Sequence, residues 1–340
     1  MIRFFLALAL LFLLVPATAE AACGVPAARA EYETPAVQVY ASKHQLIACY
    51  RATGKARIVG ESSNDGMGTD ESGSVLGLLG GRWLYTSLFA SAAESSDVRI
   101  DSLIDLRTNR AAKVTVLDED TDNQVVALAG ALVSAGEHGV VARFTGGRKQ
   151  VLGTVSATGL AASGARVYWR EAGAPRTALL DLPAADSARP APRARTIGRC
   201  KPRAGAKLLL RDAHIVLTRA GGATWACRRG TTRRLGDTTD AWILSDRKVA
   251  YVRSGAVGVL DVANGKFREL ESGGGPVAAN EWAQLAGTPV GLRIWRASGP
   301  MPEGVSPDVV TAVALGEGVG ERYAYWLDAG GAPQSAVIPY

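Results

Sequence analysis

The chain has 340 residues, 47% hydrophobic, 21% charged and 6% aromatic, with a formal net charge of +6. It is too apolar for a disordered chain and too long for one small module. Its 39 Gly and 15 Pro fall every few residues, which excludes long helices and coiled coils.

Arg3 precedes an apolar run from Phe4 to Val15, Pro16 breaks the run, and Ala19-Glu20-Ala21 offers a small-x-small cleavage site. This three-part form predicts a secretory signal over 1–21 and a mature chain over 22–340. The run is too short to span a bilayer, and no second long one follows, so no membrane span is expected. Cys23 raises a lipoprotein reading, but Glu20 stands where a lipobox wants Leu, and a disulfide is favoured. Four Cys in an exported chain imply two bridges. Cys23 and Cys49 are separated by nearly the same interval as Cys200 and Cys227, which points to two local bridges in equivalent places. A zinc site would need short Cys pairs or nearby His, and neither occurs.

The chain resembles itself. Residues 37–49 (VQVYASKHQLIAC) align without a gap with 215–227 (IVLTRAGGATWAC). Val167-Tyr168-Trp169 returns as Ala324-Tyr325-Trp326, each followed by an Ala-Gly and then an Ala-Pro. Residues 103–109 (LIDLRTN) match 259–265 (VLDVANG). The offset shortens early in the first half, so extra residues must lie there, and 61–74 and 90–97 read as the loops that hold them. The mature chain is therefore expected to consist of halves 22–186 and 199–340, joined by a Pro/Arg-rich connection over 187–198.

The local pattern within each half is short strands. Ala241 to Leu244, Lys248 to Arg253, Ala256 to Val262 and Lys266 to Leu270 are four apolar runs separated by turn residues. Ser254-Gly255 is one turn, and Asn264-Gly265 suits a type I′ hairpin, in which both central residues take positive φ. Similar units fall at 24–60, 75–117, 124–155, 157–184, 201–236, 277–300 and 305–340. Many short meandering strands form a β-propeller when packed radially, which removes long free edges. At about 45 residues per blade the mature chain makes seven, within a range of six to eight. A pair of β-sandwiches is the competing all-β architecture. The end at Tyr340 is expected to close the ring.

The Tyr-Trp strand motifs and the turn at 260–265 resemble secreted bacterial β-propellers of the TolB-like or quinoprotein-like kind. The resemblance implies a fold and no particular activity, since propellers carry unrelated functions.

No catalytic signature emerges. His44, His138 and His214 have no short spacing, and the last two precede apolar strands as polar end residues. Asp118, Asp120 and Asp122 alternate as calcium ligands do, but Asn123 and Ala129 stand where an EF-hand needs Gly and Glu. The stretch 64–71 is a similar polar loop. There is no Gly-x-Ser-x-Gly, and the Gly clusters at 77–81 and 273–275 lack a following Lys-Ser/Thr. Trp169, Trp225, Trp295 and Trp326 fall in strands and are expected in the core. Arg residues concentrate at 188–203 and 228–234, where Arg228, Arg229, Arg233 and Arg234 flank a hairpin without interleaved aromatics, so nucleic-acid readout is not indicated.

The expected protein is a secreted, monomeric, non-catalytic binding or scaffold module with no cofactor and no metal. Its partner is a protein or an anionic envelope polymer. The alternative is a secreted hydrolase or lyase with carboxylates in the propeller channel. The site residues assigned from sequence are the four cysteines Cys23, Cys49, Cys200 and Cys227.

Overall fold

The computed structural model describes residues 23, 30–42, 45–61, 63–64, 70–92, 95–117, 123–299, 301–318 and 320–339. The segment 1–21 expected to be a secretory signal, His44, Asp118 to Asp122 and Tyr340 lie outside them. Among the described residues every strand belongs to an antiparallel meander, and there is no helix. Seven hydrogen-bonded sheets form, one of eight strands and six of three to five. The eight-stranded sheet is two four-stranded meanders joined by the single pair Glu33 and Arg211.

In chain order the meanders span 30–61, 63–117, 124–153, 157–179, 207–236, 240–271, 277–306 and 312–338, numbered 1 to 8 below. Two kinds of strand build them. Arg110–Leu117 alternates, with Ala112, Val114 and Val116 buried and Lys113 and Thr115 exposed, as a strand covered on one face must. Ala256–Asp261 is buried at five successive positions because neighbouring sheets cover both of its faces.

The expected unit boundaries and the strands of meander 6 lie close to those observed. Two local expectations need correction. The stretches 61–74 and 90–97 are not simple loops: strands run through Asp70–Leu79, Trp83–Ala92 and Ser95–Asp105. The extra residues of the first half lengthen a hairpin instead of adding coil, because each added pair extends the same ladder. The turn at Asn264-Gly265 is not type I′ either, since only Gly265 has positive φ. Asp261 there accepts the backbone N–H groups of Ala263 and Asn264, forming a wider turn capped by a side chain. Both central residues have positive φ at Ala172-Gly173, Gly221-Gly222, Arg229-Gly230 and Ser254-Gly255, each joining adjacent strands by a two-residue loop.

The apolar clusters join the meanders in a definite order. Shared cores link 1 with 2, 2 with 3 and 3 with 4. They also link 5 with 6, 6 with 7 and 7 with 8. Meander 4 then packs on meander 8, where Tyr168 stacks on Tyr325 at 5.7 Å between ring centroids. Meander 1 pairs with meander 5 through Glu33 and Arg211. The circuit is therefore 1-2-3-4-8-7-6-5, in contrast to a ring visited in sequence order.

The connection makes this order possible. Leu180 and Leu182 leave meander 4 packed on the core it shares with meander 3. Arg148 then donates to the Asp181 carbonyl, and Pro183 lies against Gly130, both in or beside meander 3. The Asp186 N–H donates to the Gly80 carbonyl of meander 2, and the Asp186 carboxylate accepts from the Tyr50 hydroxyl of meander 1. Arg195 reaches Glu33, and Ala194 N–H bonds the Ala206 carbonyl as meander 5 begins. Residues 180–206 thus form a strap back across the first four meanders. Proline there keeps the chain extended, and side chains satisfy its polar groups.

Candidate functional site

Where strap, meander 1 and meander 5 meet, charge is concentrated out of water. Glu33 is 1% exposed and faces three guanidiniums: Arg51 at 2.5 Å, Arg195 at 3.5 Å and Arg211 at 3.8 Å. Arg51 and Arg211 are themselves buried. Burial pushes the Arg211 pKa down, against the opposing effect of Glu33.

A second network lies along the strap. Arg82 grips Asp105 with two hydrogen bonds, at 2.7 and 2.5 Å. Burial alone would raise the Asp105 pKa, but donation from Arg82, the Thr108 hydroxyl and the Arg107 N–H brings it to about 2. Burial first, and then the bond to Asp186, pushes the Tyr50 hydroxyl up to about 12, so it stays a donor.

Meander 5 carries the basic surface. A cavity of about 480 Å³ opens beside the Cys200–Cys227 bridge, lined among others by Arg199, Arg211, Asp212, His214 and Arg229. The four arginines that flank the 229–230 hairpin have different surroundings, because neighbours on a strand point to opposite faces. Arg228 pairs with Asp246 at 2.7 Å, Arg233 donates to the Val262 carbonyl, Arg234 lies over Trp225, and Arg229 lines the cavity. Arg203 lies over the same Trp225 ring at 3.6 Å. Trp225 is accordingly half-buried under cations and not inter-sheet core, and Trp295 is also half-buried. Trp169 and Trp326 are buried as expected. The aromatic–arginine contact was invisible in the sequence because Arg203 and Trp225 come from the strap and the third strand beyond it.

The other notable cavity, about 590 Å³, lies where the first strands of meanders 3, 4 and 8 approach meander 7. Its lining includes Arg99, Asn123, Gln124, Trp282 and Glu317. Glu317 pairs with Arg322 at 3.4 Å. Among its described lining residues Glu317 is the one carboxylate, where the hydrolase or lyase alternative calls for two.

The disulfides are Cys23–Cys49 and Cys200–Cys227, both with Cα–Cα distances of 5.8 Å. They point to an oxidising compartment. His138 and His214 are exposed at strand starts, far apart in the chain and on different meanders. The calcium question at Asp118 to Asp122 and most of the polar stretch 64–71 lie outside the described residues. No helix among those residues is long and apolar enough to cross a membrane.

No known family model matches the chain, and no curated protein is similar to it. Solved structures that resemble it do so weakly. The extracellular domain of the putative one-component system BT4673 from B. thetaiotaomicron has a TM-score of 0.29 at 9% identity, covering 90% of this chain and 56% of that one. Dipeptidyl peptidase 4 of Porphyromonas gingivalis has a TM-score of 0.24 at 10% identity, covering 92% and 54%. The WD40 domain of SCAP from fission yeast has a TM-score of 0.19 at 7% identity, covering 90% and 74%. The chain thus spans about half the length of the first two, and likeness at this level carries no argument about activity.

Proposed function

We propose that the chain is a non-catalytic, monomeric binding or scaffold module of an extracytoplasmic compartment, and that it engages an anionic envelope polymer through the basic end of meander 5. The observation that carries this reading is the basic surface of meander 5 and its incoming strap, where Arg203 and Arg234 lie over Trp225, and Arg199 and Arg229 line the cavity beside Cys200–Cys227. Such a surface attracts polyanions from a distance and loses that attraction as salt screens it. The two disulfides and the signal-like segment 1–21 support export. On this reading the eight meanders are propeller-type blades, and the halves 22–186 and 199–340 are related copies. The contacts between equivalent residues, Glu33 with Arg211 and Tyr168 with Tyr325, support that relation.

The test is co-sedimentation of purified protein with envelope fractions. Retention is expected at physiological salt, with release as salt rises and a several-fold loss for Arg203→Gln with Arg234→Gln. A protein that stays in the supernatant at physiological salt would overturn the reading.

A further inference from the structure

We propose that the groove between meanders 6 and 7 is a docking site for an extended acidic segment of a partner protein. The first half of the chain supplies the pattern, because it fills the equivalent groove with its own strap. This site goes beyond the polymer reading and lies on a different surface.

Two cavities lie at matching places in the two halves. One, about 390 Å³, lies between meanders 2 and 3 and is lined among others by Arg82, Asp105, Thr108 and Arg110. The other, about 550 Å³, lies between meanders 6 and 7 and is lined among others by Lys248, Asp261, Asn264 and Lys266. The backbone shows that these positions correspond. The Leu106 N–H donates to the Arg82 carbonyl, and the Val262 N–H to the Arg247 carbonyl. At the facing wall the Thr145 N–H donates to the Gly130 carbonyl, as the Ala297 N–H does to the Trp282 carbonyl. Trp83 pairs with Asp105 across the ladder, and Lys248 pairs with Asp261.

The halves differ in what covers the groove. In the first, Asp181, Leu182 and Pro183 of the strap form one wall. The fully buried Trp83 lies against Gly80 and Gly130, and Ala185 and Pro183 lie against the same two glycines. Arg148 donates to the Asp181 carbonyl, and the Asp186 carboxylate lies 4.0 Å from both Arg82 and Arg107. Extended backbone, apolar packing and an acidic side chain thus seat the strap. In the second half the described walls come from meanders 6 and 7 alone.

The second groove differs in chemistry as well. Lys248 stands where Trp83 stands in the first half, so that place calls for a carboxylate instead of an apolar side chain. Arg268 pairs with Val259, two residues before Asp261, so Lys248, Asp261 and Arg268 project to one face. The Asp261 carboxylate is already committed. Its Oδ2 accepts from Arg247 at 2.6 Å and from the Asn264 side chain, and its Oδ1 accepts from the Ala263 and Asn264 N–H groups. Among the described residues no ion pair joins Lys248, Lys266 or Arg268 to a carboxylate. Arg268 is half-buried and donates to the Arg296 carbonyl at 2.7 Å. Burial pushes its pKa down with no carboxylate opposing the shift. Charge-assisted bonds from an incoming acidic segment would match all three cations.

Anisotropy titration of a labelled synthetic peptide with the full chain, at physiological salt, tests the site. The peptide has the sequence of residues 180–187 with Ala185→Glu, and the control carries Asn or Gln at each acidic position. The acidic peptide is expected to bind about tenfold more tightly than the control. Lys248→Gln combined with Lys266→Gln should weaken it about fivefold. Arg203→Gln with Arg234→Gln, which weakens the polymer surface, should leave it unchanged. Carbodiimide cross-linking of the unaltered protein should join peptide carboxylates to Lys248 or Lys266, a result independent of how the variant folds. Binding no tighter than the control, or cross-links confined to other lysines, overturns the site. A polyphosphate of equal charge that binds as tightly also overturns it, because the groove would then read charge without a peptide backbone. Peptide binding with envelope retention absent removes the polymer reading and leaves this site standing.

Discussion

Asp105 and Asp261 do the same work at equivalent turns. Each ends a strand, caps the following backbone N–H groups and receives an arginine, Arg82 for the first and Arg247 for the second. Burial separates them: Asp105 is 4% exposed, whereas the Arg247–Asp261 pair is open to water. The folded-state pKa of Asp105 is depressed to about 2, so its stabilisation is fully present above the ordinary carboxylate value near 4. It is lost as pH falls from about 4 through about 2. Asp105→Asn should cost about 3 kcal/mol at neutral pH, because it strands the Arg82 fork, and should flatten the acid limb of the stability curve. Denaturant melts between pH 2 and 7 check both; an unchanged acid limb would be the contrary result. Asp261→Asn should cost less, since an exposed pair contributes little. The shared turn was legible in the match of 103–109 with 259–265. The arginine partner was not, because the hairpin between it and the aspartate is longer in the first copy, so the two equivalent arginines fall at different offsets.

At the scale of elements, hairpins with Gly at positive φ set the registers, and one Gly has a tertiary role as well. Gly159 has φ +68°, and a Cβ there would sit 2.5 Å from the Tyr325 hydroxyl and 2.6 Å from the Tyr323 ring. Gly159→Ala is expected to cost about 3 kcal/mol, combining left-handed backbone strain with overpacking. Gly221→Ala, also at positive φ but facing open space, should cost about 1 kcal/mol. Thermal melts of the two variants separate strain from contact, and equal losses would refute the packing role. The disulfides belong to this scale too, each pinning a segment to the third strand of its meander. Non-reducing peptide mapping should recover Cys23–Cys49 and Cys200–Cys227. Removing the second by Cys200→Ala with Cys227→Ala should cost about 3 kcal/mol of chain-entropy stabilisation.

Meanders 1 to 4 are joined to meanders 5 to 8 by two junctions and by the strap. Tyr168, Tyr323 and Tyr325 pack meander 4 against meander 8, while Glu33 and Arg211 pair meander 1 with meander 5. A chain cleaved after Arg193, within the strap, should therefore migrate as one particle in gel filtration, with both fragments present on a denaturing gel. Fragments that separate under native conditions would show that the strap, and not the two junctions, holds the molecule together.

Strands, turns, meander boundaries and the internal resemblance were all present in the sequence, because period-two burial, turn chemistry and loop closure act within a few tens of residues. The sequence also carried the excess of arginine and the nearly equal spacing of the cysteines. The circuit order was decided only in three dimensions. It depends on which apolar faces meet across long separations and on a strap that runs backwards, and neither leaves a local pattern. The buried charge cluster has the same origin. Glu33, Arg51, Arg195 and Arg211 are ordinary charged residues along the chain, and only the meeting of meander 1, meander 5 and the strap brings them together.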